Sequence, residues 1–263
     1  MLPHNHQNFK DVCKLVVLPT KSTLLQQAST IANKLKVPIA NANSELALGT
    51  YLLLITEQGL MLHQKLKTRS NPLFIDFSSS SIVHRITEVN CKKKPLLVKA
   101  MGVKKQKRFL LDATAGFGTD SLILASLGHR VLMLERSPLI YLLLDDALTR
   151  LGIPCPYDLQ LKLADSIEYL EKTSKEQLTI PDIIYLDPMF SHRTKSALNK
   201  KNMRILKELV GEDHDASKLL KLARNLAKRV VVKRPRKAPP LDNQTPTLQY
   251  HESGSTRYDV YLI

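Results

Sequence analysis

The chain has 263 residues, 43% hydrophobic and 24% charged, enough for one large domain or a medium domain beside a small one with a sizeable core. No apolar run reaches the roughly 18 residues of a membrane helix, and the opening MLPHNHQNFKD lacks a basic region followed by an apolar core, so a cytoplasmic protein with no membrane partner is expected. Cys13, Cys91 and Cys155 are far apart and form no CxxC or Cys/His cluster, so neither a disulfide framework nor a metal site is suggested. The net charge is +15, and it is sorted along the chain. Residues 92–108 carry eight Lys/Arg and no acid, residues 110–190 six basic against twelve acidic side chains, and residues 191–240 fifteen basic against four acidic. An acidic block between two basic ones suggests a small-molecule site beside a surface for a polyanion such as nucleic acid.

In chain order, residues 1–77 read as a small α+β domain. Residues 14–18 suit a strand, and residues 22–35 an amphipathic helix capped by Ser22. Residues 51–56, 57–59 and 60–63 read as a hairpin with a Gly59 turn, and residues 73–77 add a strand. Residues 78–108, polar and then basic, read as a linker or helical connection.

From residue 109 to 263 short apolar strands alternate with helices, the pattern of a doubly wound, mostly parallel α/β sheet. Strands are expected at 109–111, 131–134, 159–163, 182–186 and 229–232. The intervening helices fall at 120–127, ended by Gly128, at Ser137-Pro138 onward to Gly152, around 167–170, at 204–210 and at 216–228. Residues 247–250 and 258–263 around Gly254 form a C-terminal antiparallel hairpin that completes the sheet.

The stretch DATAGFGTD places Asp112, Gly116, Gly118, Thr119 and Asp120 where the first of these strands turns into its helix. Two glycines one residue apart allow a tight turn and close approach of a ligand to the backbone. The third glycine of a dinucleotide fingerprint is replaced by Ser121, and Asp120 sets a carboxylate where a pyrophosphate would need a bare helix N-terminus, which argues against NAD. Glu135 ends the next strand, where an acid accepts hydrogen bonds from ribose hydroxyls, and it could alternatively pair with Arg136. Asp165 ends the third strand and is either an acceptor for an adenine amino group or the cap of the following helix. Asp187 ends the fourth. Ligands of such sheets bind at the carboxyl ends of the strands, and acids on four consecutive strands suit a cationic nucleoside, S-adenosylmethionine.

Asp187-Pro188-Met189-Phe190 resembles the [Asp/Asn/Ser]-Pro-Pro-[Tyr/Phe] signature of methyltransferases acting on exocyclic amino groups, with Met189 in place of the second proline. Asp187 and the Pro188 carbonyl are candidate acceptors for the amine N–H bonds, and Phe190 is a candidate stacking face for a flipped base.

LDATAGFGTDSLILASLGHRVLMLERSP, YLDPMFSHRTKSALNKKNMR and RVVVKRPRKAPPL together resemble the bacterial small-subunit rRNA guanine-N2 methyltransferase J family over about residues 84–263. The resemblance implies a Rossmann-like class I methyltransferase domain and S-adenosylmethionine as methyl donor. It also implies transfer to N2 of one guanine of 16S rRNA, free or within the 30S subunit. Thr119, Asp120, Glu135, Arg136, Asp165, Ser166 and Asp187 are implied as cofactor contacts. Arg193, Lys195, Lys201, Arg204, Lys233 and Arg234, at the same sheet edge, are candidate contacts for RNA phosphates, alternatively a solvated charged face. An adenine N6, a cytosine N4 or a protein amide offers a similar planar amine, and a non-catalytic RNA-binding protein on the same fold is the reading from another class. Nothing in the sequence specifies an oligomeric state.

Overall fold

The computed structural model describes residues 14–41, 43–67, 71–90, 95–103, 106–152, 155–176, 178–188, 205, 208–209, 214–252 and 254–263. Strand β1 (Leu15–Pro19) precedes a 3₁₀ turn (Ser22–Leu24), helix α1 (Leu25–Leu35), and the strands β2 (Tyr51–Thr56) and β3 (Gly59–Gln64). β1 pairs in parallel with β2, and β2 and β3 form the expected antiparallel hairpin with Thr56 opposite Gly59. Alternate residues of β2, Tyr51, Leu53 and Ile55, are buried in the apolar core, as its period of two requires.

Two expectations for this region need correction. Ser22 does not cap α1: it opens the 3₁₀ turn, whose cap position is Lys21 with no side-chain hydrogen bond. Residues 73–77 form no strand, because only Leu73 pairs, by a single bridge to Leu62. Their apolar pattern serves the core instead, since Leu73, Ile75 and Phe77 are all buried.

Residues 78–108 supply α2 (Ser80–Asn90) and α3 (Leu96–Met101), and residues 91–94 of the basic run lie outside the described residues. There follow β4 (Phe109–Asp112), α4 (Thr119–Ser126), β5 (Arg130–Glu135), α5 (Pro138–Arg150), β6 (Leu159–Leu163), α6 (Ser166–Lys175), β7 (Ile183–Leu186), α7 (Ala216–Leu226), β8 (Arg229–Pro235), β9 (Leu248–His251) and β10 (Thr256–Leu262). The helix expected at 204–210 falls mostly outside the described residues.

These strands form one sheet in the order β6-β5-β4-β7-β8-β10-β9. β6, β5, β4, β7 and β8 run parallel, and β10 pairs antiparallel with both β8 and β9. The alternation of strands and helices read from the sequence is therefore the observed α/β architecture. Helix starts follow local chemistry: Ser137 accepts a hydrogen bond from the Ile140 N–H just before Pro138, and Asp165 accepts from the Ile167 and Glu168 N–H groups. One face of the sheet joins a buried apolar cluster that runs from Val17 and Leu53 through Leu144 and Tyr185 to Val260, while the other packs Leu111, Ile184 and Val232 against α7 and Leu170 of α6.

The strand order reverses direction beside β4, between β5 and β7, which leaves a crevice at their carboxyl ends. Gly118 stands there with φ +69°, and a Cβ on it would lie 2.7 Å from Leu144 Cδ1 and 3.3 Å from Met133 Sδ. Gly128 also has positive φ, +87°, yet a Cβ there meets nothing within 4 Å. Gly128→Ala should therefore cost only the left-handed strain, about 1–2 kcal/mol, whereas Gly118→Ala adds overpacking and should cost about 2–5 kcal/mol, as read by urea denaturation.

Candidate active site at the carboxyl edge of the sheet

A cleft of about 650 Å³ opens at the carboxyl ends of β4, β5, β6 and β7, within the range of roughly 300–1,000 Å³ usual for small-molecule sites. Asp112, Gly116, Gly118, Thr119, Asp120, Glu135, Arg136, Asp165, Ser166, Asp187 and Pro188 all border it. So do Lys233 and Arg234. Phe190, Arg193, Lys195, Lys201 and Arg204 lie outside the described residues.

The acids divide by what already occupies them. Asp112, at the end of β4, accepts from Thr114 N–H at 3.0 Å and from Ser121 Oγ at 2.6 Å, tying the glycine loop to α4. Burial pushes its carboxyl up to about 7 against those two hydrogen bonds, and the charges on Asp120 and Asp187 add to the rise. Its main work is inside the loop.

Glu135, buried at the end of β5, accepts from Gly116 N–H at 3.1 Å and from Ser137 N–H at 2.7 Å. The loop is thus hung from the carboxylate that borders the cleft. Each oxygen of a carboxylate has two acceptor positions, so these backbone bonds leave Glu135 able to accept ribose hydroxyls as well. Backbone donors hold it on both oxygens, and the Arg136 guanidinium lies 3.2 Å from Asp215.

Asp165 caps α6 through one oxygen, Oδ1, which takes both backbone N–H groups at 2.9 and 3.1 Å. The cap and the cleft position are thus compatible. Ser166 donates to the Ala113 carbonyl at 2.6 Å and stitches α6 to the end of β4. Thr114 Oγ1 accepts from Asp187 N–H at 2.6 Å, fixing the backbone just beyond β7.

Asp120, in the first turn of α4, is held by three donors. Lys233 Nζ lies 2.9 Å and Tyr185 Oη 2.8 Å from its Oδ2, and Arg85 Nη2 lies 3.4 Å from its Oδ1. Burial raises its carboxyl, but the Lys233 ammonium, the Tyr185 hydroxyl and Arg85 outweigh it and hold the group below the ordinary carboxylate value. Arg85 comes from α2, in a stretch read from the sequence only as a connection.

The two basic residues of β8 diverge because successive strand residues point to opposite faces. Lys233 follows Val232, which pairs with Leu186, so it arrives beside Asp187 and opposite Tyr258. Its ammonium sits 2.8 Å from Asp187 Oδ2. Arg234 turns to the other face, is only 5% exposed, and donates to the Pro239 carbonyl at 2.6 Å through Nη2. This buried side chain braces the turn after β8 and also borders the cleft.

The cleft fits S-adenosylmethionine. A Cβ on Gly116, whose φ is +53°, would have no neighbour closer than Thr114 O at 3.9 Å, so the loop backbone lies bare toward the space that Glu135 borders. Six acidic side chains against four Lys/Arg border the cleft, a balance that suits a cationic nucleoside better than a pyrophosphate. Among the described residues no cluster of three His, Cys, Asp or Glu could hold a metal ion, and no helix is long and apolar enough to cross a membrane.

Asp112 carries a pH prediction. Its carboxyl ionises near its ordinary pH in the unfolded chain and only at about 7 in the folded one, so between roughly pH 4 and 7 the folded state holds the extra proton and stability falls as pH rises. Asp112→Asn should remove that penalty: urea denaturation should show the variant gaining on the wild type from pH 4 to 7.

Comparison with known proteins agrees with this geometry. A family model described as "Putative SAM-dependent methyltransferase" matches residues 31–263. The ribosomal RNA small subunit methyltransferase J of Coxiella burnetii is 42% identical over 91% of this chain and 93% of its own length, and that of Pseudomonas fluorescens is 40% identical over 95% of each. The crystal structure of a SAM-dependent methyltransferase from Neisseria gonorrhoeae superposes with a TM-score of 0.68 at 31% identity, covering 94% of this chain and 95% of that one. With the acids, the glycine loop and the strand order in place, these likenesses assign the chain to the ribosomal RNA small subunit methyltransferase J family of S-adenosylmethionine-dependent methyltransferases.

Proposed function

We propose that the protein methylates the exocyclic N2 of one guanine in 16S rRNA. The observation that carries this reading is that Glu135 and Asp187, at the ends of separate strands, border one cleft with the glycine loop between them. The relatives named above support small-subunit rRNA as the substrate, as free RNA or within the 30S particle. The excess of Lys/Arg in residues 191–240 supports a phosphate-rich partner.

S-adenosylmethionine, when bound, supplies an electrophilic methyl group on a sulfonium. Glu135, held by the Gly116 and Ser137 N–H groups, would accept from the ribose hydroxyls, and the second oxygen of Asp165 from the adenine amino group. Thr119, Arg136 and Ser166 border the same space. The lone pair of a guanine N2 is drawn into the ring, so the amine reacts only when acceptors hold its N–H bonds and orient the nitrogen. Asp187 and the Pro188 carbonyl would do so, with Asp187 taking the proton that the methylated nitrogen releases. Phe190 would offer its ring to the flipped base.

Asp187→Ala should lower methyl transfer to 30S subunits by at least about 100-fold without lowering the melting temperature. Nuclease digestion of the wild-type product followed by mass spectrometry should give N2-methylguanosine. N6-methyladenosine, N4-methylcytidine or labelled ribosomal protein in its place would redirect the assignment to another planar amine.

A further inference from the structure

The sequence marked Lys233 as one more basic residue of an RNA-facing run, but its position is internal to the cleft. It leaves β8 on the face that carries Tyr185 and Tyr258 and sits between two carboxylates, 2.9 Å from Asp120 Oδ2 and 2.8 Å from Asp187 Oδ2. We propose that Lys233 is a positioning residue for methyl transfer, fixing the Asp187 carboxylate by bridging it to Asp120 on α4, and that it is not a phosphate contact for RNA. The inference rests on the reading of Asp187 as the acceptor for the target amine.

Donor arithmetic supports the bridge. An ammonium has three N–H donors, and two are committed to carboxylates. Reaching out to a phosphate would break two charge-assisted hydrogen bonds and leave Asp112, Asp120 and Asp187 facing one another without that cation. The far end of the bridge is itself anchored, because Tyr185 Oη lies 2.8 Å and Arg85 Nη2 3.4 Å from Asp120. The near end has its backbone fixed by Thr114, so what the bridge adds is the orientation of the Asp187 carboxylate.

The charged and titratable groups that meet here come from every surrounding element: Asp112 at the end of β4, Tyr185 on β7, Tyr258 on β10, Arg85 on α2 and Asp120 on α4. Burial alone would lower the Lys233 ammonium, but Asp187 and Asp120 reverse that and keep it charged well above its ordinary value. Its role is electrostatic and geometric at every physiological pH.

The test uses Lys233→Met, Lys233→Arg, Asp187→Asn and the Met/Asn double variant of the full chain. The readouts are kcat on 30S subunits, cofactor affinity by calorimetry, and the slope of log Kd against log salt for subunit binding. Lys233→Met should lower kcat on the order of 100-fold, since a small misplacement of an orienting group costs that much. It should leave cofactor affinity unchanged or tighter, because a positive charge has left a site for a cation, and it should leave the salt slope unchanged. Lys233→Arg should recover part of kcat, and the Met substitution should add nothing in the Asp187→Asn background.

A salt slope shallower by about one with kcat intact would make Lys233 a phosphate contact and overturn the proposal. Equal further loss of kcat in the Asp187→Asn background would overturn it too. If Lys233→Met unfolds, Lys233→Gln and Lys233→Arg carry the same comparisons. Should the wild type methylate an amine other than guanine N2, the reading of the substrate fails, while kcat for that product still tests the bridge.

Discussion

Parallel pairing of β5, β4 and β7 brings carboxylates from distant parts of the chain to one rim, and like charges that close must be compensated or protonated. The surroundings of each acid follow from that constraint. Asp112 is buried, which pushes its carboxyl up to about 7, and has Ser121 and Thr114 as donors. Glu135 and Asp165 are answered by backbone N–H groups, the one from the glycine loop and the next helix, the other from the start of α6. Asp120 and Asp187 share the one ammonium of Lys233. Fixed donors therefore both permit the acidic rim and aim its remaining acceptor positions into the cleft.

The same bonds couple stability to binding. Glu135 holds Gly116, Ser166 holds Ala113, and Thr114 holds Asp187, so the loops that border the cofactor space are laced to one another by side chains rather than left to flex. Such preorganisation is what a reaction driven by orientation needs, because little reorganisation remains when the reactants meet. The Arg85 contact to Asp120 extends the lacing to α2, outside the strand-and-helix alternation.

Much of this was legible in the sequence, for identifiable reasons. Strands buried on both faces read as apolar runs, helix ends are marked by Ser137-Pro138 and by glycines, and one acid at each of four strand ends gives away the rim. Long-range pairing was not legible. Nothing local reveals that Asp120, expected as a cofactor contact, also holds Lys233, Tyr185 and Arg85. Period-two alternation along Val231-Val232-Lys233-Arg234 could have separated the inward Lys233 from Arg234 on the opposite face, but a dense basic run invites a reading by composition. Ser22 had the chemistry of a cap and not the position, and residues 73–77 had the apolar content of a strand without a partner along their length.

Glu135 is proposed as the principal nucleoside acceptor of this rim. Calorimetric titration of S-adenosylmethionine into wild type and Glu135→Ala tests it most directly. The wild type should bind saturably one to one and the variant more weakly by on the order of tenfold or more, the loss of charge-assisted hydrogen bonds worth about 1.5–3 kcal/mol. Equal affinity in the two proteins, or none in the wild type, would contradict it.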